Sequence, residues 1–141
     1  MKKQIFIALS LIVVVITSCT TDFTNPKNLP GSTWICSDFS QTKDSSYYKS
    51  VDYVEFYFKT TKTLQLIYKD KATGTLKSIA GSYTFTIIEN KITVDVTTVT
   101  TDGKNTTVEK ATGMIDGNVM SLNFETGFNN DSLVFIRKKV L

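Results

Sequence analysis

Beyond residue 30 the chain alternates. Apolar and polar residues exchange at every second position, in short runs rich in Val, Ile, Thr, Tyr and Phe, and helical spacing is nearly absent. Eight strands follow from this pattern. The first covers Ser32–Asp38 and carries Trp34. The second, about Ser50–Lys59, turns Val54, Phe56 and Phe58 one way and Tyr53, Glu55 and Tyr57 the other. The third covers Thr63–Lys69 with Leu64, Leu66 and Tyr68 aligned, and the fourth Leu76–Ile88 with Ile79, Gly81, Tyr83, Phe85 and Ile87 on one face. The fifth covers Lys91–Thr101 with Ile92, Val94 and Val96 aligned. Thr106–Ile115, Val119–Glu125 and Ser132–Lys139 complete the set, and Met120, Leu122, Phe124, Leu133 and Phe135 form their core face.

The connections decide how these strands assemble. Glu89-Asn90, Asp102-Gly103 and Asp116-Gly117 are tight turns, and Asp-Gly suits a type I′ hairpin because both central residues there need positive φ. Parallel crossovers need a dozen or more residues, so the sheet is expected to be an antiparallel meander. Eight meandering strands remove their exposed edges by closing into an up-and-down barrel, with room inside for side chains or one small ligand. Two connections are longer, Ser40–Lys49 and Gly127–Asp131, and the first is placed where a barrel mouth acquires a flap.

The N-terminal segment follows another pattern. Lys2 and Lys3 precede an apolar run, Ile5 to Ile16, broken only by Ser10. A cationic start and a short apolar run make a secretory signal; a membrane span needs about 20 apolar residues, and this run stops at Thr17. Ile16-Thr17-Ser18-Cys19 resembles a bacterial lipobox. The resemblance implies a diacylglycerol thioether on the Cys19 sulfur, cleavage between Ser18 and Cys19, and membrane attachment through lipid chains of the palmitate kind. Residues 1–18 would then be a signal peptide, residues 19–30, with Pro26 and Pro30, the lipidated cysteine and a polar tether, and residues 31–141 the folded domain. The implied location is the bacterial cell envelope, on the outer membrane.

Charge and residue inventory narrow the chemistry. The chain has 16 Lys and Arg against 13 Asp and Glu, and without residues 1–18 the balance falls to 14 against 13. With no basic stripe and no recognition motif, nucleic acid is not an expected partner. Histidine is absent, which removes the usual general base, the usual metal ligand and the Ser-His and Cys-His nucleophiles. A lipidated Cys19 cannot pair, so Cys36 is expected to be a small buried hydrophobe. Asn129, Asn130 and Asp131 fall short of the 6–8 oxygens that calcium takes. Glu55, Asp95, Glu109 and Glu125 could supply paired carboxylates, but each lies between residues read as core-facing and is expected to point to solvent. A non-enzymatic protein with no metal and no cofactor is expected.

Leu29-Pro30-Gly31-Ser32-Thr33-Trp34, an aromatic second strand, Phe135-Ile136-Arg137 and the hairpin Ala111-Thr112-Gly113-Met114-Ile115-Asp116-Gly117 with Met120-Ser121-Leu122 together resemble the small bacterial lipocalin-like lipoproteins. The resemblance covers residues 31 to about 138. It implies a barrel floor closed by Trp34 with Arg137 packed across it, although this chain has two residues between Gly31 and Trp34 where lipocalins have one. The expected function is a binding module that holds a small apolar or amphipathic ligand, lined by Phe56, Phe58, Leu66, Tyr83, Phe85 and Val94. The alternative is an envelope protein with a filled core that meets a protein or glycan through its loops or through Tyr53 and Tyr57. These two tyrosines share one face of the second strand.

Overall fold

The computed structural model describes residues 28–88, 91–102 and 104–139. The signal segment, Cys19, the tether as far as residue 27, the Glu89-Asn90 turn and Gly103 lie outside the described residues.

Eight strands follow one another: β1 (Thr33–Cys36), β2 (Val51–Phe58), β3 (Thr63–Asp70), β4 (Leu76–Ile88), β5 (Lys91–Asp102), β6 (Asn105–Asp116), β7 (Val119–Thr126) and β8 (Ser132–Arg137). Each pairs antiparallel with the next, and β1 closes on β8 to complete an all-β, up-and-down barrel. The bounds match the period-two runs closely. The exceptions are β1, which starts at Thr33 and stops at Cys36, two residues short of Asp38, and β8, which stops at Arg137, two residues short of Lys139.

Alternation sends one side of each strand inward. Trp34, Phe56, Phe58, Leu64, Leu66, Ile92, Val94, Ile115, Met120, Leu122, Leu133 and Phe135 are buried in one continuous core. Aromatic rings meet inside it: Phe56 against Phe135 at 5.1 Å and Phe58 against Tyr83 at 4.7 Å, both edge-to-face. Edge-to-face pairs add about 0.5–1.5 kcal/mol beyond the area they bury. Strands β6 and β7 approach so closely at Gly113 that a Cβ there would collide with the Ser121 carbonyl oxygen, so only glycine fits.

The barrel has two unlike ends. At the floor end the chain enters through Leu29–Ser32, where the Gly31 N–H donates to the Phe58 carbonyl at 2.7 Å. The β2–β3 and β6–β7 turns and the end of β8 share this end. Trp34 is fully buried here and is the register partner of Arg137, whose guanidinium carbon lies 5.9 Å from the indole centroid. The Trp34 Nε1–H donates to Ser32 Oγ at 2.9 Å, and the Ser32 hydroxyl donates to the Leu29 carbonyl at 2.5 Å. The extra residue between Gly31 and Trp34 is thus buried and satisfied. The β1–β2, β3–β4, β5–β6 and β7–β8 connections gather at the opposite end, the mouth.

Three expectations change. Ile87 has the inward parity of its strand but stands 48 % exposed, one residue from the strand's end at the floor rim. The Asp116 turn is not type I′. Gly117, the first of two loop residues, has φ +58° and Asn118 is not left-handed, as in a type II′ turn. Glu109 points inward. Ala111 and Ile115 are buried while Val108 is exposed, so the odd-numbered residues of β6 face the interior, and Glu109 falls in that set at the mouth, where polar groups reach water.

Candidate functional site

Two loops close part of the mouth. In the β1–β2 connection a single 3₁₀ turn, Ser45–Tyr48, delivers the Tyr48 side chain into the barrel end, where it is 3 % exposed. Its ring stacks on Phe39 at 4.6 Å, and its hydroxyl lies 2.6 Å from the Phe128 carbonyl and 3.1 Å from Asp131 Oδ2. Asp131 is 1 % exposed. Its carboxylate also accepts the Lys43 backbone N–H at 2.9 Å and the Asn129 amide at 3.4 Å, and the Lys43 ammonium donates to the Asn130 carbonyl at 2.7 Å. Burial first, then the Asp131 charge, push the Tyr48 phenol above its ordinary range and keep it a donor. The Asn129-Asn130-Asp131 group is therefore a clasp between two loops.

The other half of that clasp is unusual backbone. Phe128, Asn129 and Asn130 all have positive φ, 43°, 56° and 53°, a conformation that costs about 1–2 kcal/mol per non-glycine residue. Ring contacts offset the cost at Phe128, which is buried between Phe124 at 4.4 Å and Tyr68 at 5.2 Å.

Beside the clasp the mouth stays open as a cleft of about 410 Å³, within the range of ordinary ligand sites. Its apolar side is Val51, Ile79 and the Tyr68 ring; its polar side is Glu109, Thr100, Thr107 and the rim residues Lys77 and Asp70. Val51 reaches the core because β2 carries a register shift between Val51 and Tyr53. Glu109 is the centre of the polar side. The Tyr68 hydroxyl lies 3.1 and 2.9 Å from its two oxygens, and the Thr98 hydroxyl donates to Oε2 at 3.1 Å. Burial, then the Glu109 charge, raise the Tyr68 phenol well above its usual range. Gly127, at φ +83°, lies against the Glu109 stem; an added Cβ would stand 2.5 Å from Glu109 Cγ.

The residues named from sequence as ligand-lining fall elsewhere. Phe56, Phe58, Leu66, Tyr83 and Val94 are buried and Phe85 is half-buried, all between the cleft and the floor. The Tyr83 hydroxyl donates to the Thr60 carbonyl in the β2–β3 turn at 2.7 Å. None of the six lines the mouth cleft. Tyr53 and Tyr57 lie on the outer face, half-buried; the Lys69 ammonium sits 5.4 Å from the Tyr53 centroid and 2.9 Å from Asp52. Sequence reading placed Glu109 outside and gave Thr98, Lys77 and Thr107 no role. Counting back by twos from Ala111 would have brought Glu109 inward.

On the outside, β1 and β8 share only two register pairs, Trp34↔Arg137 and Ile35↔Ile136. A groove of about 540 Å³ follows this seam, lined in part by Ile35, Ser37, Gln41, Val134 and Ile136. Among the described residues, no group of three or more Cys, Asp or Glu side chains is arranged to hold a metal ion. No family model, curated protein or solved structure matches the chain.

Proposed function

We propose that this protein is a lipid-anchored, non-enzymatic binding module of the bacterial envelope, and that a small amphipathic molecule enters it through the mouth. The cleft carries this assignment: about 410 Å³ with Val51, Ile79 and the Tyr68 ring on one side and Glu109 fixed on the other. An apolar wall with a few placed polar groups is how small-molecule sites obtain both affinity and orientation. This reading sets the binding level above the cup expected of a lipocalin-like barrel, since below the cleft Phe56 packs on Phe135 and Phe58 on Tyr83.

The position of the chain's entry sets the orientation that such an anchor would impose. Asn28 enters at the floor, and nine residue steps separate it from Cys19, a reach of at most about 30 Å. Lipid on Cys19 would hold the floor toward the outer membrane and turn the mouth away from it. Two acyl chains suffice for stable attachment.

Native mass spectrometry of the protein extracted from its own membranes tests the assignment. A retained small molecule in the wild type, lost on filling the cleft by Thr107→Phe, is the expected result. A wild type that retains nothing, or a molecule that survives Thr107→Phe, would overturn it. An outer-face contact with an envelope protein or glycan is the second reading. It is favoured by one observation, the row Val119, Ile136 and Ile35 across β7, β8 and β1, of which Val119 and Ile136 are exposed. It predicts that a partner is lost with Ile136→Ser and kept with Thr107→Phe.

A further inference from the structure

Resting on the mouth cleft being a binding site, we infer that its ligand carries a positively charged nitrogen, an ammonium head on a short apolar body, and that Glu109 receives it. A carboxylate offers about four lone-pair directions. Tyr68 and Thr98 each supply one proton to Glu109, which leaves two directions for the cleft. Both donors are neutral. Among the described residues the one ion pair is Lys69 with Asp52, so no lysine or arginine lies within 4.0 Å of the Glu109 carboxylate. Lys69 and Lys77 both line the same cleft, but the Lys69 ammonium is paired with Asp52 at 2.9 Å and Lys77 stands exposed at the rim.

The second acid of the cleft, Asp70, belongs to the β3–β4 turn at the rim, and the three bonds that hold it all end on Oδ1. Asp70 accepts the Ala72 N–H at 3.0 Å, the Thr73 N–H at 2.7 Å and the Thr73 hydroxyl at 2.8 Å, closing the β3–β4 turn on itself. Glu109 is the acid fixed inside the cleft, and it cannot swing aside. Its stem lies against Gly127, and Tyr68, which holds its head, is stacked on Phe128. A fixed anion with neutral donors behind it and open volume before it suits a cation, since an ionised donor makes a hydrogen bond roughly twice as strong as a neutral one. Val51, Ile79 and the Tyr68 ring take the apolar body.

Three probes of equal length test this: hexylamine, hexanol and hexanoate, titrated into the ¹⁵N-labelled chain while the amides of Tyr68, Ile79, Thr100 and Glu109 are followed. Hexylammonium is expected to bind at least about tenfold more tightly than the other two. Glu109→Gln should erase the preference, while Asp95→Asn, an acid on the outer face, should leave it intact. If hexanol or hexanoate binds as tightly as hexylammonium, or the preference survives Glu109→Gln, the cationic head is wrong and the cleft remains a binding site. If none of the three moves those amides, both assignments fall.

Discussion

Cys36 shows what burial does to one reactive group. The thiol is 1 % exposed, and its S–H donates to the Asp38 carbonyl at 3.6 Å. Burial is the largest cause of a pKa raised from 9.0 to about 11. The unfolded chain therefore releases this proton first as pH rises, so the thiol's contribution to stability is present below pH 9 and lost toward pH 11. At pH 9 the folded thiolate fraction is about fiftyfold below that of the open chain. Iodoacetamide labelling at Cys36, read by peptide mass spectrometry, should be slower by at least about that factor in the folded protein than in urea; equal rates would contradict it. That a lone cysteine two residues after a buried tryptophan is core was legible in the alternation. Glu109 was not, because an acid inside a barrel mouth and an acid on the outer wall have the same sequence neighbours. Only the parity of its own strand separates them, and Val108 and Met114 obscure that parity by being apolar and exposed.

At the scale of elements, strands were legible and corners were not. Period-two runs locate β2 to β8 within a residue or two, because side-chain alternation is fixed by the pleat. β1 ends early because the chain leaves the sheet at Ser37 to begin its crossing of the mouth. The left-handed run Phe128–Asn130 carries one sequence hint, the two asparagines, which tolerate that backbone, and one counter-signal, a phenylalanine, which does not. Its cause is tertiary, since Phe128 is held by Phe124 and Tyr68 from β7 and β3. Asn130 isolates the backbone term: its φ is 53° and its side chain is exposed. Asn130→Val should cost about 1–2 kcal/mol in urea denaturation, and Asn130→Gly should stay within about 0.5 kcal/mol of the wild type. Equal losses for both would show that the amide, and not the backbone, matters there.

The whole molecule is a ring of unequal joints. β5 and β6 share eleven register pairs, β1 and β8 two. Opening should therefore begin at the β1–β8 seam, since local stability follows the packing and pairing that must be broken. Native-state hydrogen exchange should find the amides of β1 and β8 exchanging ahead of the central amides of β5 and β6, and the reverse order would contradict the seam. Closure of the barrel was legible from strand number and turn length. The position of the cleft was not, because it depends on how far the aromatic side chains of β2, β4 and β8 fill the space below it.

The Lys138 N–H donates to the Thr33 carbonyl at 2.8 Å, so the chain enters and leaves the barrel side by side. A few residues of linker could splice the tail to the start of β1, and new ends could be cut at the Gly117-Asn118 hairpin without lengthening any other loop. Such a circular permutant would keep every neighbour in the ring and the cleft unobstructed. It would also move the proposed lipid leash from the first strand to the seventh, still beneath the floor.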